Sequence, residues 1–85
     1  MKHKVLVFGA GSVGAHHIHA SINLKCDVFV TDINKNQLIY LKENLYPDRY
    51  GAWDNKINII DYDKIFNLKY KFDLIVLGIS PLHHY

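Results

Sequence analysis

Val5-Leu6-Val7-Phe8-Gly9-Ala10-Gly11-Ser12-Val13-Gly14 is an apolar run that opens into G-x-G-x-x-G, and a second apolar run, Val28-Phe29-Val30, ends on Thr31-Asp32. A continuous apolar run stopped by glycine is the pattern of a strand buried on both faces of a parallel sheet. Gly9 lets the chain turn sharply out of that strand, Gly11 leaves the backbone bare to an approaching phosphate, and Gly14 lets the following helix pack closely on the strand. Such a turn offers free amides at the positive end of a helix, where a diphosphate binds. Asp32 stands where a carboxylate accepts the hydroxyls of an adenosine ribose. Together the two features predict a dinucleotide site, with Gly9, Ala10, Gly11, Ser12, Val13 and Gly14 on the diphosphate and Asp32 with Ile33 on the ribose. The alternatives are a structural tight turn or a mononucleotide site for the glycines, and simple helix capping for Asp32.

The acid favours NAD over NADP. A 2′-phosphate about 4 Å from the carboxylate meets repulsion of about 4 kcal/mol per unit charge at an effective dielectric near 20. Lys35, on the next turn, softens that penalty.

From Ser12 to about Asn23 the pattern is helical, with Gly14, Ile18 and Ile22 on one face. Asp27 to Thr31 reads as a second strand, and Asn34 to Leu45 as a second helix with Leu38, Leu41 and Leu45 inward. Tyr46-Pro47-Asp48-Arg49-Tyr50-Gly51 is expected to end that helix, because proline cannot continue it and glycine frees the turn. Lys56 to Ile60 reads as a third strand, Asp61 to Leu68 as a brief capped helix, and Phe72 to Gly78 as a fourth strand. The order is βαβαβαβ. With right-handed crossovers it gives an α/β fold, a partial Rossmann (doubly wound) parallel sheet in the order 3-2-1-4.

At 85 residues the chain has room for one small or partial domain. Two helices cover one sheet face and the third covers only part of the other, so strands as apolar as Val5-Phe8 and Leu74-Leu77 are expected to leave bare surface. Residues 1–85 therefore read as the N-terminal part of an NAD(P)-binding domain within a longer protein. The net charge of +2 is small, and Lys and Arg form no stripe with interleaved aromatics, which argues against a nucleic-acid partner. No apolar stretch reaches the roughly twenty residues that span a bilayer, so no membrane is expected. Glycines interrupt the apolar run after Met1-Lys2-His3-Lys4 too early for a signal peptide, and Cys26 has no disulfide partner, so a reduced cytoplasmic setting fits. A homo-oligomer is compatible with the sequence.

Leu77-Gly78-Ile79-Ser80-Pro81-Leu82-His83-His84-Tyr85 resembles the strand-four ending of the glucose-fructose oxidoreductase, inositol dehydrogenase and rhizopine-catabolism (Gfo/Idh/MocA) family, commonly a-T-P-P-x-x-H. Aligning the second proline with Pro81 puts the family histidine at His84, and His17 matches a histidine that the family carries three residues after the last glycine. Ile79 replaces the usual threonine and Ser80 the first proline. The resemblance implies a nicotinamide-side loop of Ile79, Ser80, Pro81 and His84. It also implies an NAD(P)-dependent oxidoreductase exchanging hydride with a hydroxyl of a sugar, cyclitol or sugar derivative. The family's acid-base lysine belongs to an E-K-P motif that does not occur here, so no catalytic residue is assigned and this segment alone is expected to be inactive.

Two other readings compete. A regulatory nucleotide-sensing domain also joins a glycine fingerprint to an acid after strand two, although Ser80-Pro81 and two histidines differ from the acidic or amide-rich loop expected there. A binding-only remnant is the third. His16, His17 and His19 crowd one helix, but zinc needs further ligands and a polar helix face is the better reading. Tyr40, Tyr46, Tyr50 and Trp53 are expected to pack the sheet edge. Residues 44–53 read as an insertion without assignable chemistry.

Overall fold

The computed structural model describes residues 3–67 and 72–78. Strand β1 (Lys4–Phe8) lies inside a four-stranded parallel sheet of order β3-β2-β1-β4, between β2 (Asp27–Thr31) and β4 (Leu74–Leu77). Contrary to the bare surface expected of Val5-Phe8, Val5, Leu6 and Val7 are buried, because β1 is an interior strand, and the run accordingly carries no polar alternation. Ladder bonds continue past the strand ends: Gly9 N–H donates to Thr31 O at 2.8 Å and Gly78 N–H to Phe8 O at 2.9 Å. The bend after β1 is thereby fixed to both neighbouring strands.

Helix α1 (Ser12–Asn23) and the second helical arm cover one face of the sheet. Val5, Val7, Val28, Val30 and Ile57 meet Ala15 and Ile18 of α1 and Leu38, Leu41 and Tyr46 of the second arm in one core cluster. Each fully buried aliphatic side chain there contributes about 1.5–3 kcal/mol. On the opposite face Phe8 meets Tyr62 edge-on at 5.5 Å and Phe29 meets Phe72 at 5.5 Å.

The second arm departs from expectation. Asn34 caps α2 (Lys35–Tyr40), its side chain accepting Asn36 N–H at 3.0 Å. The chain then passes through a wide π turn, Leu41–Leu45, into α3 (Tyr46–Tyr50), so Tyr46-Pro47 does not end the helix. A proline ring clashes with the carbonyl four residues back in a regular helix, here that of Glu43. The wide turn just upstream, in which Tyr46 N–H reaches back to Leu41 O, gives that ring room. The arm ends one turn later at Gly51, whose φ of 93° suits glycine and whose N–H donates to Pro47 O at 2.8 Å.

Strand β3 is shorter than expected, Ile57–Ile59, and the third crossover is a 3₁₀ helix, Tyr62–Asn67. The expected end of that helix at Leu68 lies outside the described residues. Leu74, Ile75 and Leu77 of β4 are more than half exposed, as the uneven helical cover implied. Among the described residues no helix is long and apolar enough to cross a membrane.

Candidate functional site

Three glycines bring backbone against backbone at the end of β1. Gly9 has φ 121°, and a Cβ on it meets Gly78 O at 3.0 Å. A Cβ on Gly14 meets Gly9 O at 1.9 Å, and one on Gly78 meets Gly14 Cα at 2.7 Å, so no side chain fits at these positions without moving backbone. Gly11 differs: a Cβ there meets nothing within 4 Å. Its bareness serves no internal packing and leaves open space over the bend.

Gly11 is the N-cap of α1, in extended backbone, and no side chain caps the helix. The first helical bond runs from Ala15 N–H to Gly11 O at 2.9 Å, so the amides of Ser12, Val13 and Gly14 stand outside the helical ladder. Ser12 is exposed and Val13 half-buried, whereas the Ala10 side chain is fully buried. These are donors of the kind a diphosphate takes at a helix start.

Asp32 faces the bend. Its Oδ2 accepts Ala10 N–H at 2.8 Å and its Oδ1 accepts Asn34 N–H at 2.9 Å. An ionised carboxylate has about four lone-pair sites, so two acceptor positions remain beyond these two amides. The capping alternative is corrected in one respect: Asn34 caps the helix, and Asp32 ties that start to the glycine bend. Ile33 beside it is 69 % exposed. Gln37 donates from Nε2 to Ala10 O at 3.0 Å, so Ala10 is held through both its amide and its carbonyl.

Arg49 reaches the same bend from α3, donating from Nη1 to Ser12 O at 2.9 Å and from Nη2 to Ser12 Oγ. Residues 44–53, which the sequence left without chemistry, therefore touch the start of α1. Gln37, Arg49 and Gly78 were not singled out from the sequence. Gly78 carried a signal, a glycine closing an apolar strand, but its role against Gly9 and Gly14 follows from sheet order; Gln37 and Arg49 carried none.

His19 sits away from the bend, stacked on Tyr50 at 3.8 Å, with Nδ1 3.1 Å from the Tyr46 hydroxyl. Tyr46, Tyr50 and Trp53 gather beside α1 instead of forming a sheet edge with Tyr40, which is half exposed. Burial first, then Asp54 and Tyr50, raises the Tyr46 pKa above its ordinary value. Among the described residues no group of three or more His, Cys, Asp or Glu is placed to hold a metal ion. Ile79, Ser80, Pro81 and His84, expected on the nicotinamide side, lie outside the described residues.

Bare Gly11, the unladdered amides and the acid of Asp32 thus stand together at the end of β1. A family model described as alanine dehydrogenase/PNT, C-terminal domain, matches residues 1–77. The chain belongs to this family. Its members bind NAD(P) through a Rossmann-like domain of oxidoreductases, and the match spans the glycine bend and Asp32. Nothing in it is specific to the Gfo/Idh/MocA family. Neither the search of curated proteins nor that of solved structures found a match.

Proposed function

We propose that the chain is the cofactor-holding part of an NAD-dependent dehydrogenase, within a larger protein that supplies the substrate site. The reading rests on the Asp32 carboxylate, held 2.8 Å from the Ala10 amide beside the open space over Gly11. In that position it accepts the ribose hydroxyls of NAD and repels the 2′-phosphate of NADP. The residues fit the group: amides of Ser12 and Val13 for the diphosphate, Asp32 for the ribose, and Gln37 and Asn34 to fix the bend and the acid. When bound, the nicotinamide supplies or accepts hydride; this chain binds and orients the cofactor. The further step, to a hydroxyl of a sugar, cyclitol or sugar derivative, is supported by the resemblance of Leu77 to Tyr85 alone. Titrating the chain with NADH and NADPH and following nicotinamide fluorescence tests the proposal. Tighter binding of NADH is expected; preference for NADPH removes the role given to Asp32, and no binding of either removes the cofactor reading.

A further inference from the structure

We infer that Arg49 is the cation of the diphosphate site, delivered to it by the bulged helical arm; this rests on the cofactor reading above. No Lys or Arg occurs between Lys4 and Lys25, so the glycine bend and α1 carry no full positive charge of their own. A helix start contributes only about half a unit charge, through its amides. Arg49 supplies the missing charge in place: Nη1 donates to Ser12 O at 2.9 Å and Nη2 to Ser12 Oγ.

Both acceptors are neutral, and among the described residues no carboxylate forms an ion pair with Arg49. The guanidinium keeps donors beyond the two it uses, since the fork carries five. The Ser12 hydroxyl accepts from Arg49, which leaves its own proton to be donated to a phosphate oxygen. One arginine thus adds charge and orients a neutral donor at the first residue of α1. Delivery depends on the π turn, Leu41–Leu45, because a helix stopped before Pro47 does not carry residue 49 forward. Tyr46 and Tyr50, both packed on His19 of α1, flank Arg49 in the sequence and hold α3 against that helix.

The test compares the unaltered chain with Arg49→Gln and Arg49→Lys against NADH, NADPH, ADP and adenosine, using fluorescence for the nicotinamides and ligand-observed NMR for the others. Arg49→Gln should weaken NADH, NADPH and ADP alike by about tenfold or more, the scale of a charge-assisted hydrogen bond. Adenosine, which has no phosphate, should be unaffected, and the loss should shrink as salt is raised. Arg49→Lys should recover part of the affinity through charge without the fork. NADH binding within about twofold of the unaltered chain overturns the inference, since that is under 0.5 kcal/mol. An equal loss for adenosine also overturns it, as Arg49 then acts only by holding the fold, and so does a loss confined to NADPH. If the unaltered chain binds none of the phosphorylated ligands, the cofactor reading falls as well; if it binds them and Arg49→Gln changes nothing, only the role of Arg49 falls.

Discussion

The two helical arms on the same sheet face do opposite jobs at one bend. Helix α1 is a regular run of 12 residues and contributes backbone: amides at its start, and glycines that let it lie against β1 and β4. The second arm, α2 with its π turn and α3, is irregular and contributes side chains, Gln37 to the Ala10 carbonyl and Arg49 to Ser12. A regular helix suffices where the function is a fixed array of amides, because every residue offers the same group. A bulged one is needed here to carry one chosen side chain past a proline and back to the bend.

The comparison is broken most severely on the backbone side. Gly14→Ala places a methyl 1.9 Å from Gly9 O, a clash with backbone that no rotamer relieves, and is expected to cost about 3 kcal/mol or more. Urea unfolding measures it; a midpoint unchanged from the unaltered chain contradicts the packing described for the three glycines. Gly11→Val is next and separates binding from folding. With nothing within 4 Å of the new Cβ, stability should hold within about 1 kcal/mol, while NADH affinity falls at least about a hundredfold. Retained affinity means the space over Gly11 is not where the diphosphate lies.

Asp32→Ala touches both arms, since it strips an acceptor from Ala10 N–H and from Asn34 N–H. About 1–3 kcal/mol of stability should be lost, with NADH binding weakened more than NADPH binding. Equal weakening of the two cofactors removes the ribose assignment and leaves Asp32 a structural tie. The smallest effect is expected at the seam between the arms. The Tyr46 pKa is raised, so the protonated phenol is favoured in the folded chain and its contribution is complete below the ordinary tyrosine value near 10. It is lost as pH rises through the higher folded value. Unfolding midpoints measured at about pH 9 and about pH 11 should therefore fall less steeply for Tyr46→Phe than for the unaltered chain, which retains the phenol. Parallel falls show that Tyr46 does not carry the alkaline loss.

Most of α1's contribution was legible because glycine is an unambiguous signal: only a missing side chain allows φ 121° at Gly9 or the close approach at Gly14. The strand order followed from alternating β and α patterns, and the inward faces of Ile18, Leu38 and Leu41 from helical spacing. The second arm departs from its sequence pattern at Pro47, since a proline in a helical pattern is ordinarily a stop, and nothing local announces a π turn that accommodates one.

Local chemistry alone determined the sheet, the bare bend and the acid at the end of the second strand, because each depends on residue types at short fixed spacing. Tertiary structure decided that Gly78 closes on Gly9 and Gly14, that Asp32 grips Ala10 while Asn34 takes the cap, and that Arg49 arrives at Ser12, 37 residues away in the chain. Those are meetings between distant segments, and the physical quantity that sets them, which surfaces the folded core brings within hydrogen-bonding reach, exists only once the helices have docked on the sheet.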